Sequence, residues 1–96
     1  MSKTRKVAVA IGSVLRNYTH GASKVEVEVA APRPTLADVF AALERDYPGI
    51  RFRMMDEAGH VRPHVQVFVG GAIQRDPAGV VEEGAEVFIV GALSGG

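Results

Sequence analysis

The residues whose types and position best fit a chemical role are the last two, Gly95 and Gly96. They come a few residues after a predicted strand, so they would project from a rigid body as the end of a short tail. Glycine has no Cβ atom, and it therefore permits unusual backbone conformations and close approach to a nucleotide or a catalytic group. The pattern indicates a C-terminal carboxylate that reacts inside a partner's active site. A frayed, inert end is the alternative.

The rest of the chain offers little other chemistry. It contains no cysteine, which excludes disulfides, thiolate metal sites and a cysteine nucleophile. His60 and His64 have the spacing of metal ligands on one helix face, but Gly59 and Pro63 disfavour a helix there and no third ligand is evident. There is no nucleophile–base pair and no phosphate-binding loop. The sequence therefore predicts no metal site and no enzyme activity.

Composition favours one small globular domain. The 96 residues are 47% hydrophobic and 23% charged, with a formal net charge of zero. A balanced charge makes nucleic acid an unexpected partner. No apolar run is long enough to span a bilayer, and no signal-peptide core follows the basic residues at positions 3–6. We therefore expect a cytoplasmic protein without a membrane partner.

Alternating valines predict strands at 6–12 and 24–30, which the turn formers between Asn17 and Ser23 would join as a hairpin. Similar patterns predict strands at 65–69, 72–74 and 86–90, and Gly70-Gly71 provides a tight turn between the first two of these. Residues 50–64 are expected to form a short helical turn and an exposed loop.

One helix has clear start, stop and packing signals. Thr35 is placed as its N-cap, with Asp38 three residues later, and Pro48-Gly49 ends it. Its apolar stripe consists of Leu36, Val39, Phe40, Leu43 and Tyr47.

The element order predicts an α+β fold of the ubiquitin-like β-grasp type. One main helix would cover one face of a mixed sheet of four to five strands. The valine-rich first and last strands are expected to pair in parallel at the sheet centre. Residues 1–90 would form this domain, and residues 91–96 a flexible tail that ends in the two glycines.

Phe68 and Phe88 form a possible partner-binding patch. Phe68 is in phase with Gln66 and Phe88 is in phase with Glu86, so both rings should lie on the sheet face opposite the helix. Exposed aromatic residues grouped on one face are typical of interaction sites. In the alternative interpretation, the loop at 50–64 covers the two rings.

The chain resembles the MoaD/ThiS family of ubiquitin-like sulfur carriers over nearly its whole length. The residues that carry the resemblance are Thr35 to Leu43, Val65 to Val69 with its glycine turn, Glu83 to Val90, and Gly95-Gly96. The longer segment between Tyr47 and Val65, with Met54-Met55-Asp56, is similar to the carriers that serve cysteine biosynthesis.

The resemblance implies a mechanism that depends on two partners. An adenylating activating enzyme would use ATP to activate the Gly96 carboxylate, and sulfur would then displace AMP to leave a thiocarboxylate. Ala92, Leu93, Ser94 and Gly95 would be the part of the tail that enters partner active sites. A sulfur-accepting biosynthetic enzyme would consume the thiocarboxylate. The chain itself would bind no cofactor and would be a cosubstrate, not a catalyst.

Two other functions remain open on the sequence. The activated Gly96 of a protein modifier would be joined to lysines of target proteins, and an interaction module would have an inert tail. The pathway is also open, because similar carriers serve cysteine, molybdenum cofactor, thiamin and thiolated metabolites.

Overall fold

The fold consists of a five-stranded sheet and three helical segments, which the computed structural model describes for residues 4–91. The strands are β1 (Arg5–Ile11), β2 (Lys24–Val29), β3 (Val65–Val69), β4 (Ala72–Ile73) and β5 (Val87–Gly91). The α-helices are α1 (Leu36–Asp46) and α2 (Ile50–Met54), and a 3-10 helix spans Ser13–Thr19. Within the described residues, no helix is long and apolar enough to cross a membrane.

The sheet has the order β2-β1-β5-β3-β4, with β1 and β5 parallel and the other neighbours antiparallel. The central parallel pair joins Val9 to Val87 and Ile11 to Ile89, and all four side chains are buried. This confirms the predicted β-grasp and the predicted pairing of the first and last strands. The tail therefore leaves from a strand that has a neighbour on each side.

Helix α1 begins as its sequence predicts. The Thr35 hydroxyl accepts the Asp38 N–H at 3.2 Å, and the Asp38 carboxylate accepts the Thr35 N–H at 2.9 Å, which completes a capping box. The segment between β4 and β5 contributes as well, because its Pro77 and Gly79 carbonyls accept N–H groups from the first turn of α1. Leu36, Val39, Phe40 and Leu43 are fully buried against the sheet, as the stripe predicts.

Three local predictions need correction. A 3-10 helix occupies part of the β1–β2 connection, and it buries Leu15 against the core. The loop after α2 is only partly exposed, because Met55 and Val61 form a β-bridge and are buried. Strand β5 ends at Gly91, one residue beyond the predicted strand, and Gly91 is buried opposite Val65. In each case a few apolar contacts order backbone that local turn signals assign to a loop or tail.

The Glu44 carboxylate joins the end of α1 to the start of α2. It accepts the N–H of Gly49 at 2.9 Å and that of Arg51 at 3.0 Å. The hydrogen bonds from Gly49 and Arg51, with the Arg51 charge, lower the pKa of Glu44. A carboxyl group with a lower pKa in the folded state stabilises the fold above its unfolded pKa of about 4.3, and this contribution is lost as pH falls through the folded pKa.

We expect Glu44→Gln to lower the free energy of unfolding at neutral pH, because the hydrogen bonds from Gly49 and Arg51 would no longer have a charged acceptor. The loss should be only about 1 kcal/mol, because the carboxylate is partly solvated. Urea unfolding of both proteins between neutral and acidic pH measures the effect. The difference should shrink below about pH 4, where both unfolded chains and then the folded wild type carry a neutral side chain. Glu83→Gln, at an exposed position, is the matched control and should change stability by less than about 0.5 kcal/mol. Equal effects of the two variants would contradict the assignment.

Candidate functional site

The end of β5 fixes where the C-terminal tail starts. Gly91 pairs with Val65 of β3 and is buried, so the chain is held in the sheet up to this residue. The predicted tail residues Ala92, Leu93, Ser94, Gly95 and Gly96 lie outside the described residues. Their proposed roles therefore stay predictions, and the described site is the surface around Gly91.

Gly12 allows the chain after β1 to pack directly on the end of β5. Its N–H donates to the Ile89 carbonyl at 2.7 Å. A Cβ atom at position 12 would lie 3.0 Å from the Ile89 oxygen and 3.1 Å from the Val90 Cα, both of them backbone atoms. The 3-10 helix that follows is close enough for a Cβ at Gly91 to contact Val14 at 3.6 Å. The start of the tail is therefore fixed on two sides, by β3 and by the 3-10 helix.

Phe68 and Phe88 are brought together on the sheet face opposite α1. They are cross-strand partners, and their ring centroids are 6.1 Å apart in a stacked arrangement. Phe88 is 41% exposed and Phe68 is half-buried. The groove beside the rings is lined by Gly70, Gly71 and Glu86, with no residue of the 50–64 segment. The geometry thus places an accessible aromatic pair where the sequence predicts it, although partner binding stays a prediction.

The aromatic pair is the middle of a row that crosses the sheet. Strand register aligns the five residues Lys24, Ala10, Phe88, Phe68 and Ile73 from one sheet edge to the other. Ile73 is 63% exposed, so the apolar part of the row continues to the β4 edge. At the other end, Lys24 Nζ lies 2.7 Å from a Glu86 carboxylate oxygen and forms an exposed ion pair. The name aromatic row is used below for the three large apolar side chains of this alignment, which are the two aromatic residues Phe68 and Phe88 and the neighbouring Ile73.

Ile73 was missed as a site residue, although the sequence holds the signal that places it. Gly70 and Gly71 both have positive φ, as a two-residue hairpin turn requires. Such a turn pairs Val69 with Ala72, and therefore Phe68 with Ile73, as the structure has it. Counting back from the turn would have added Ile73 to the patch.

The histidines do not form a metal site in the described part of the chain. His60 Nδ1 lies 3.8 Å from an Asp56 carboxylate oxygen, and His60 and His64 are not on a helix. Across residues 4–91, no three histidine, aspartate or glutamate side chains are arranged to hold a metal ion. Every buried side-chain nitrogen or oxygen in this range has a hydrogen-bond partner.

Comparisons with known proteins identify relatives that cover nearly the whole chain. No protein-family profile matches the sequence. The sulfur carrier protein CysO of Mycobacterium tuberculosis is 33% identical over 95 residues, which cover 94% of this chain and 98% of CysO. Its crystal structure has a TM-score of 0.76 at 30% identity, and the match covers 91% of this chain and 99% of CysO.

Two further solved structures have similar folds. The Amycolatopsis orientalis BexX/CysO complex contains a chain that matches with a TM-score of 0.80 at 25% identity over 94% of this chain and 99% of the other. The SAMP1 protein of Haloferax volcanii matches with a TM-score of 0.80 at 22% identity over 96% of this chain and 100% of its own, a likeness of fold. With the CysO match over nearly its full length, the resemblance to sulfur carriers is confirmed. This chain belongs to the CysO family of ubiquitin-like sulfur carrier proteins.

Proposed function

We propose that this chain carries sulfur as a thiocarboxylate at Gly96 and donates it to a biosynthetic enzyme. The observation that carries the proposal is the 33% identity to a sulfur carrier over 94% of the chain. A rigid β5 that ends at Gly91 supports it, because the sequence then places Gly96 at the end of a short segment with two terminal glycines.

The proposed chemistry has two steps. The Gly96 carboxylate attacks the α-phosphorus of ATP and releases pyrophosphate, which leaves an acyl-adenylate with AMP as a good leaving group. Hydrosulfide then attacks the carbonyl carbon and expels AMP, leaving the thiocarboxylate. A persulfide donor would instead give an acyl disulfide, which a thiol reduces to the same product. The thiocarboxylate sulfur is then the nucleophile in the acceptor enzyme.

The chain acts in this scheme as a cosubstrate that binds no cofactor of its own. ATP is bound by the adenylating activating enzyme, and the sulfur-accepting enzyme is the second partner. The need for ATP supports a cytoplasmic location. The aromatic row is the proposed contact for the activating enzyme, because it is accessible and apolar. The BexX/CysO complex supports a partner-bound state, since a related carrier is part of that complex.

Intact mass spectrometry tests the proposal. The full chain is incubated with ATP, a sulfide source and a cognate activating enzyme. We expect a mass gain equal to the replacement of one oxygen by sulfur, and no gain for the variant that lacks Gly96. The cysteine-free sequence makes the result easy to assign, because no internal thiol can bind sulfur. No gain with an enzyme that forms the adenylate would contradict the proposal.

Cell extracts distinguish the protein-modifier alternative. A modifier would form isopeptide bonds between Gly96 and lysine side chains, so cell extracts would contain species of higher mass that still carry this chain. An inert tail would give neither product, and its deletion would change nothing. The identity of the acceptor enzyme decides which pathway receives the sulfur.

A further inference from the structure

Three arginines lie on the segments that follow β1 and precede β3, the two neighbours of β5. Arg16 lies on the 3-10 helix, Arg53 on α2, and Arg62 just before β3. The Arg62 carbonyl accepts the N–H of Val65, the residue opposite Gly91. The 3-10 helix contacts β5 from the other side, close to Gly91. We call Arg16, Arg53 and Arg62 the basic collar.

Neutral groups hold each guanidinium of the collar in place. Arg16 Nε donates to the Ile11 carbonyl at 2.9 Å, at the end of β1. Arg53 Nε donates to the Tyr18 hydroxyl at 2.6 Å, and this links α2 to the 3-10 helix. Arg62 Nε donates to a backbone carbonyl of α2 at 2.7 Å. Because these acceptors carry no net charge, they position the three cations without neutralising them.

No ion pair of the described residues includes an arginine of the collar. The ion pairs within residues 4–91 join Lys24 to Glu86, Arg45 to Asp46, and His60 to Asp56. The Arg62 charge helps to lower the pKa of Asp56, but the hydrogen bonds from the N–H groups of His60 and Ala58 lower this pKa more. Asp56 is thus engaged by its own turn.

The collar adds three positive charges to the segments beside the end of β5, in a chain with no net charge. Glu82 and Glu83 precede β5, at the end of the strand opposite to Gly91. The 3-10 helix that carries Arg16 packs near Gly91, and the Arg62 backbone is hydrogen-bonded to Val65, the partner of Gly91. Such separation of charge steers association and orients a protein on its partner.

The length of the tail forces a partner onto this surface. This step rests on the proposed function, in which Gly96 reacts inside the activating enzyme. Gly96 is five residues beyond Gly91, and a fully extended segment of this length spans at most ~18 Å. The enzyme surface around its active-site entrance must then cover the end of β5. Cations brought under a protein surface without counter-charges lose hydration and are destabilising.

We infer that the basic collar docks on carboxylates that surround the active-site entrance of the activating enzyme. The partner chemistry is an acidic protein surface. The collar and the aromatic row would have separate tasks, since the collar orients the tail and increases the rate of encounter, while the row supplies apolar contact.

Steady-state kinetics of thiocarboxylate formation at varied NaCl tests the inference. For the wild type, KM should rise between about 50 and about 500 mM NaCl while kcat changes little. The variant R16Q/R53Q/R62Q should have a KM about tenfold higher at the low salt concentration, and a much weaker salt dependence. Arg75 is left intact, because its guanidinium donates to the carbonyls of Val61, Arg62 and Val65 and holds the start of β3.

Two further variants separate charge from folding. R16K/R53K/R62K keeps the charges while it loses the guanidinium geometry, and it should keep most of the salt dependence. K6Q/R33Q/R45Q removes the same charge from outside the collar and should have a wild-type KM. A wild-type KM that does not change with salt would overturn the inference, as would equal KM values for the two glutamine variants. No thiocarboxylate from the wild type would instead refute the proposed function, so the two failures are distinguishable.

Discussion

Replacing Phe40 with alanine is expected to remove about 3–5 kcal/mol of the free energy of unfolding. Phe40 is fully buried, and it is among the largest side chains of the core that α1 forms with the sheet. The substitution loses the burial of the ring and leaves a cavity, because a close-packed core relaxes only partly around a deleted side chain. A domain of this size has only about 5–15 kcal/mol in total, so a large share of its stability depends on this side chain.

Urea unfolding followed by far-UV circular dichroism measures the loss. Phe52→Ala is the matched control, because it deletes the same ring at a position that is 64% exposed. The Phe52 ring contacts the solvent and the Arg62 guanidinium, whose central carbon lies 4.6 Å from the ring centroid. That contact contributes about 0.5–1 kcal/mol. Equal losses of stability for the two variants would contradict the burial of Phe40 between α1 and the sheet.

The sequence predicted α1 because every signal for it is local. Thr35 and Asp38 are three residues apart, and the capping box they form needs no other part of the chain. The parallel pairing of β1 and β5 is not local, but it followed from the strand order and from the valines of both strands. Patterns with a fixed period therefore predicted the architecture.

Elements that depend on distant contacts were harder to predict. The 3-10 helix starts where Gly12 packs on the backbone of β5, a contact between residues far apart in sequence. Met55 and Val61 are buried because a short β-bridge closes the loop after α2. Turn-forming residues dominate both segments, so local propensity favoured loops. Tertiary packing overrides that preference.

The same distinction applies to the site. Strand period placed Phe68 and Phe88 on one face, but their direct pairing depends on the register of β3 and β5. The sequence does not predict the basic collar, because Arg16, Arg53 and Arg62 come from three separate segments. Only the fold brings them to one end of β5.

Replacing Phe88 with aspartate is expected to lower kcat/KM for thiocarboxylate formation by at least ~30-fold, which is the effect of losing an interface anchor of about 2 kcal/mol. Phe88 is the member of the aromatic row on β5, the central strand of the sheet, and its ring stacks on Phe68. The aspartate removes apolar area from the proposed contact, and it places a charge that must lose hydration when the activating enzyme binds. It also lies two residues from Glu86, so the local negative charge increases.

Controls must separate binding from folding, because β5 is central in the sheet. Phe88→Tyr keeps the ring and should retain activity within about threefold. Ala41→Asp adds the same charge at an exposed position of α1, on the opposite face of the sheet, and should leave kcat/KM unchanged. Urea unfolding of Phe88→Asp should confirm that the domain is still folded at the assay temperature. A folded Phe88→Asp protein that is activated at the wild-type rate would show that the activating enzyme does not use the aromatic row. The activating enzyme would then have to contact this chain through the basic collar and the tail, without the aromatic row.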